Sequence, residues 1–108
     1  MKLPEESDLL RVFVGESDKF EGRPLYQAIV EEAKASGLSG ATVLRGLMGF
    51  GSTSRLHTIK VLRLSEDLPM VVEIVDSPEK IEAFLPGLKR MAGNALVTVE
   101  KVRVISGR

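Results

Sequence analysis

The chain has 108 residues, 44% hydrophobic and 28% charged, an ordinary composition for one globular domain spanning 1–108. Lys plus Arg and Asp plus Glu each total 15, so the formal charge is zero, which excludes a sequence-independent nucleic-acid binder that works by neutralising phosphates. Cysteine is absent and histidine occurs once, which removes thiol catalysis, thiolate metal sites and multi-histidine sites within one chain. The start, Met1-Lys2-Leu3-Pro4-Glu5-Glu6, is too acidic for a secretion signal. No apolar run approaches the ~18 residues of a membrane span. The expectation is a cytoplasmic protein with no direct membrane insertion.

Leu9 to Val14 is short, rich in β-branched and aromatic residues, and stops at Gly15, so it reads as a strand. Leu10, Val12 and Val14 face one way and Leu9 and Phe13 the other, the mark of a strand covered on both sides. A polar connection runs from Gly15 to Arg23. Pro24 is then expected at the first position of a helix whose apolar stripe is Leu25, Ile29 and Ala33, flanked by Tyr26 and Val30, ending at Gly37. Ala41 to about Met48 reads as a second strand, broken by Gly49-Phe50-Gly51-Ser52-Thr53-Ser54. Residues 56 to 64 read either as a strand of the main sheet or as an arm that leaves it.

Pro69 to Val75 is the clearest strand, again apolar on both faces. Asp76-Ser77-Pro78 starts a second helix, with Ser77 as N-cap and Pro78 first in the helix. Ile81, Phe84, Leu85, Leu88 and Met91 form its stripe, and Pro86 inside it should kink or interrupt it. After Gly93-Asn94 the segment Ala95 to Ile105 reads as a last strand. The order strand, helix, strand, strand, helix, strand predicts an α+β, ferredoxin-like βαββαβ sandwich, an antiparallel sheet with two helices on one face. The first and third strands, apolar on both faces, belong at the centre. The second and fourth, with Thr42, Arg45, Thr98, Glu100, Lys101 and Arg103, belong at the edges. Two helices cover one face only, so Val, Ile and Phe on the other predict an apolar patch closed by self-association.

The segment Gly46 to His57, with its glycines, hydroxyls, Arg45 and Arg55, is the densest unusual feature. It suits an anion or nucleotide clasp, although it lacks the lysine of a phosphate loop, and a hairpin connection is the plainer reading. His57 has no second ligand beside it, and a serine triad on Ser52 or Ser54 lacks the nucleophile elbow. Glu16 with Asp18, and Glu66 with Asp67, lie in polar turns where solvation and local bonding account for them. Arg103 reads as an edge-strand charge or a phosphate ligand, Gly93-Asn94 as a helix cap and turn, and Phe50 as a hydrophobic anchor for the loop in preference to a stacking platform.

Gly37-Leu38-Ser39-Gly40-Ala41-Thr42-Val43, Gly49-Phe50-Gly51, His57-Thr58 and Leu68-Pro69 leading to Glu73 resemble the PII-type nitrogen-signalling proteins. The chain is still more similar to the PII-like proteins through Gly22-Arg23-Pro24-Leu25-Tyr26, Arg45-Gly46, Ser65-Glu66-Asp67-Leu68-Pro69 and Phe84-Leu85-Pro86. The resemblance implies a homotrimer with sheets facing inward, binding an adenine nucleotide in the clefts between subunits. It also implies that the loop over 46–57 changes conformation to act on a partner protein, such as a membrane transporter or an enzyme. Carried over, Thr42, Gly49, Phe50, Gly51 and Ser52 line one side of the cleft, and Gly93, Asn94 and Arg103 supply the rest. The glycine, aspartate and lysine turn before the last strand is shortened here to Gly93-Asn94-Ala95, and Ser52, Thr53 and Ser54 replace loop cations. Each lost charge-assisted contact removes about 1.5 to 3 kcal/mol, which favours AMP, ADP or a cyclic nucleotide over ATP. The loop lacks the tyrosine that is uridylylated in PII-type proteins. The resemblance implies a regulator, not an enzyme, with no metal. A nucleotide hydrolase, or a metal-sensing trimer using His57 or a structural trimer without nucleotide, are the alternatives.

Overall fold

The structure, a computed structural model, describes residues 3–50, 57–58 and 67–107, the pair 57–58 as backbone only. Four strands form the main antiparallel sheet, β1 (Glu6–Gly15), β4 (Thr42–Arg45), β7 (Pro69–Asp76) and β8 (Leu96–Arg103), in the order β4-β7-β1-β8. Helices α1 (Leu25–Ala35) and α2 (Pro78–Ala92) cover one face. The expected βαββαβ order and the central position of the first and third strands are both found.

Alternation decides which side chains meet the helices. Val12 stands opposite Val72 on β7 and Val97 on β8, and Leu10 opposite Ile74 and Val99. Leu10, Val12, Val14, Met70, Val72 and Ile74 are buried against Leu25, Ile29 and Ala33 of α1 and Ile81, Phe84 and Leu88 of α2. Both helical stripes read from the sequence therefore face this core. Ser77 caps α2, its Oγ accepting from the Lys80 amide at 3.3 Å. Gly93 ends α2 with φ +58, a conformation that favours glycine, and its amide donates to Lys89 O at 3.1 Å.

Several boundaries differ from the sequence reading. β1 begins at Glu6, three residues before the apolar run. Ser7 is buried and its Oγ donates to Pro4 O at 2.7 Å, while Asp8, 6% exposed, stands opposite Asp76 and Lys101. The connection after β1 contains a hairpin, β2 (Lys19–Phe20) with β3 (Arg23–Pro24), whose two turn residues Glu21 and Gly22 both have positive φ, 51° and 81°. That backbone matches the twist of the paired strands. Pro24 is consequently not the first helical residue: its ψ of 134° is extended, and α1 starts at Leu25, whose amide donates to Asp18 O at 2.7 Å. Pro86 does not interrupt α2, which is continuous over Pro78–Ala92. Pro86 is on the exposed side, so the carbonyl one turn earlier that loses its donor faces water.

The expected second strand divides. β4 ends at Arg45, and β5 (Met48–Gly49) pairs instead with β6 (His57–Thr58), in register Met48↔Thr58 and Gly49↔His57. The described part of 56–64 thus belongs to a small ribbon outside the four-stranded sheet, and the remainder lies outside the described residues. Among the described residues no helix is long and apolar enough to cross a membrane.

Truncating Ile81 to Ala, at a fully buried position facing both central strands, is expected to cost about 2–5 kcal/mol in urea denaturation. Ser77→Ala is expected to cost about 1 kcal/mol by leaving the Lys80 amide uncapped.

Candidate functional site

At the corner where β4 leaves the sheet, the Gly46 amide donates to Pro69 O at 2.7 Å, which bends the chain across the proline. A Cβ on Gly46 would lie 2.8 Å from Pro69 Cγ and 3.3 Å from its carbonyl oxygen, and one on Gly49 3.1 Å from Cγ. These two glycines permit close backbone approach to Pro69. The Gly46 amide is engaged there, so it is not a free donor for an anion.

Both ends of the segment between β4 and β7 are tied to the turn after β1. Arg45 Nη2 lies 3.0 Å from Glu16 Oε1 and 3.0 Å from Oε2. The Glu16 amide donates to Leu68 O at 2.8 Å. Asp67 Oδ1 accepts from the Ser17 amide at 3.0 Å and from Ser17 Oγ at 2.8 Å. Asp18 Oδ2 closes the turn by accepting from the Gly15 amide at 2.9 Å. Glu16, Asp18 and Asp67 therefore act as structural acceptors, as the sequence reading expected. Glu66 lies outside the described residues.

At the opposite end of β7 and β1, Asp76 is buried with both oxygens used: Oδ2 accepts from the Ser39 amide at 2.8 Å and Oδ1 from the Ser77 amide at 2.7 Å. Ser39 Oγ also donates to Val75 O at 2.7 Å, capping the stretch of β7 that β4 is too short to cover. The Gly37 to Gly40 run thus serves to return α1 to the sheet.

The nominated binding residues fall into three places. Thr42 is on β4, with Gly49 in β5 and Phe50 just beyond it. Gly93 and Asn94 form the α2–β8 turn, at the same end of the sheet but the opposite edge. Arg103 ends β8, where its Nη1 lies 3.6 Å from Glu5 Oε2. Thr42 aligns through Glu73 and Arg11 with Thr98, five residues short of Arg103. Three strand spacings separate the two edges, roughly 14 Å, and five residues of strand add roughly 17 Å along β8. One subunit does not bring these residues together. Gly51 and Ser52 lie outside the described residues, as do the side chain of His57 and the rest of the stretch 51–56 within the 46–57 loop. Phe50 is 78% exposed and finds no packing among the described residues, and the loop that it is expected to anchor lies outside them. Leu47 and Met48 beside it are also exposed.

The sequence reading missed a charged group on the uncovered sheet face. Arg11 Nε donates to Glu73 Oε2 at 2.9 Å and Nη1 to Glu100 Oε1 at 2.8 Å. The hydrogen bond to Glu73, opposed by partial burial and supported by Glu100, raises the guanidinium above its ordinary value, so Arg11 stays cationic at any working pH. The expected apolar patch of Val, Ile and Phe is accordingly incomplete. Ile74 faces the helices, and a polar row crosses the face between Leu9 and Phe13. The signal was available in Arg11 and Glu73, one opposite charge in each of two otherwise apolar strands.

Residues 7–104 match the DUF190 family, described as Uncharacterized ACR. A UPF0166 protein of Aquifex aeolicus is 46% identical over 97 residues, covering 90% of this chain and 91% of the relative. Among solved structures, CPII, a nitrogen regulatory PII-like protein from Thiomonas intermedia bound to ADP, AMP and bicarbonate, superposes with a TM-score of 0.69. It is 17% identical, covering 92% of this chain and 88% of CPII. A PII-like signalling protein from Thermus thermophilus gives a TM-score of 0.69 at 23% identity, covering 97% of this chain and 94% of that one. The sandwich is thus the PII-like fold.

Gly46→Ala should destabilise the subunit by about 1–3 kcal/mol in urea denaturation, because the Pro69 backbone and ring cannot both retreat from the added methyl. Gly49→Ala, which meets only the ring, should cost less.

Proposed function

The chain belongs to the DUF190 family, and on that premise we propose that it is a PII-like regulatory protein. It acts as a homotrimer that binds an adenine nucleotide in the clefts between subunits. The observation that carries this reading is the dispersal of the nominated residues. Thr42, Gly49 and Phe50 stand at one edge of the sheet, while Gly93, Asn94 and Arg103 stand at the other. Such residues serve one ligand only if the β4 edge of one subunit meets the β8 edge of its neighbour. The uncovered sheet face supports the same assembly, since Leu44, Phe13 and Leu96 are exposed in the isolated subunit. The fold it shares with CPII, a protein solved with ADP and AMP, supports an adenine nucleotide as ligand.

The cleft residues supply few cations, Arg103 being the one within the nominated set, so ADP or AMP suits the site better than ATP. The nucleotide would reach the segment beyond Phe50, whose feet are held by Arg45 with Glu16 and by Asp67 with Ser17. A change in that segment, read by a partner protein, would be the output, a ligand-controlled switch of the order-disorder kind. No residue is assigned a catalytic role.

Calorimetry and thermal unfolding with AMP, ADP, ATP and cyclic AMP test the reading. A nucleotide at a hundredfold excess over its Kd should stabilise the protein by about 2.7 kcal/mol per site, with AMP or ADP tighter than ATP. Gly51→Val should abolish binding while sedimentation still reports a trimer, and Arg103→Ala should weaken it. Absence of binding for every nucleotide, or steady consumption of one, would overturn the proposal.

A further inference from the structure

Two rows of side chains cross the sheet face that the helices leave uncovered. Leu44, Val71, Phe13 and Leu96 stand opposite one another on β4, β7, β1 and β8, an apolar row spanning the full width of the sheet. The adjacent row is Thr42, Glu73, Arg11 and Thr98, with Glu100 diagonal to Arg11 on the edge strand. Arg11 bridges both carboxylates, and exposure falls unevenly among the three side chains: 35% for Arg11, 29% for Glu73 and 59% for Glu100. Arg11 and Glu73 therefore sit on the central strands as a neutral pair, while Glu100 lies toward the edge and water.

A cation in the middle of a surface that must be covered has one of two consequences. Unpaired, it would have to be matched by a partner's acid or would oppose burial strongly. Paired with Glu73 within its own chain, it presents no net charge at the centre, and the surplus negative charge of the three-membered group sits on Glu100 toward the edge. An identical face can then approach without like-charge repulsion. A copy of this chain is the cover that the proposed trimer supplies, and a neutral centre removes the like-charge repulsion that two identical faces would otherwise meet.

We infer that Arg11 is an assembly-determining residue. Two further copies of this chain cover the sheet face, the Arg11–Glu73 pair enters the interface already neutralised, and Glu100 remains at its rim. This rests on the trimer of the proposed function and adds the residue on which that trimer depends. Removing the cation alone leaves Glu73 of each copy in the covered space, three carboxylates without their counter-charge, with a second unpaired carboxylate, Glu100, at each rim.

Analytical ultracentrifugation of the full chain over a concentration series tests the inference, with far-UV circular dichroism to follow the fold. Arg11→Met should raise the concentration of half-dissociation by more than about tenfold, with the circular dichroism unchanged. The neutral triple variant Arg11→Met/Glu73→Gln/Glu100→Gln should restore assembly to near the wild-type value, because no charge is then left unpaired. Three results would overturn the inference. Arg11→Met could assemble like wild type, the triple variant could be as weak as the single one, or Arg11→Met could lose its fold while the triple variant keeps it. The last would locate the charge balance within the subunit. A wild-type chain that stays monomeric would instead remove the trimer reading itself, a result separate from all three.

Discussion

Two helices can cover only one face of a four-stranded sheet, and that shortage of cover governs the rest of the molecule. The covered face is a complete core: six side chains from β1 and β7 close on six from α1 and α2, each at the alternating or helical position its periodicity requires. Stability belongs to that side. None of the described residues nominated for ligand binding belongs to the buried core cluster, although their neighbours Val43, Ala92 and Ala95 pack against that cluster.

The uncovered face is constrained differently. It is not a uniform greasy surface but a full-width apolar row next to a charged row whose central members neutralise each other. Burial of a polar group is tolerable only when its hydrogen bonds are made, and here Arg11 makes them within its own chain before any partner arrives. The same side chain that lowers apolarity in the monomer is compatible with a covered state in the proposed trimer.

The fold was legible in the sequence because periodicity reports burial directly. The β1 and β7 runs, both helical stripes, the Ser77-Pro78 start and the Gly93 stop all follow from local patterns. What escaped depended on contacts between segments far apart in the chain. Ser7 and Asp8 extend β1 only because β8 and β7 supply partners, so no apolar signal marks them. Pro24 is held extended by its pairing with Lys19 across a turn that needs positive φ at Glu21, a conformation that residue type does not advertise. The residues that the resemblance nominated for a cleft, so far as they are described, lie on opposite edges of one sheet, a separation that no local pattern reports.

Alternation along β4 joins these two halves of the problem. Leu44 points to the uncovered face and Arg45 to the other, and Gly46 follows at once, pinned on Pro69. The strand that contributes to the apolar row is therefore the same four-residue strand from which the next segment departs. Among the described residues β4 is short and pairs only with β7, so what holds it there is a few ladder bonds, the Arg45–Glu16 contact and the Gly46–Pro69 hydrogen bond. In the proposed trimer a neighbour pressing on Leu44 acts within two residues of Gly46. No long-range pathway is then required for a ligand in the seam to reach the segment beyond Phe50, because the seam and the base of that segment share one strand.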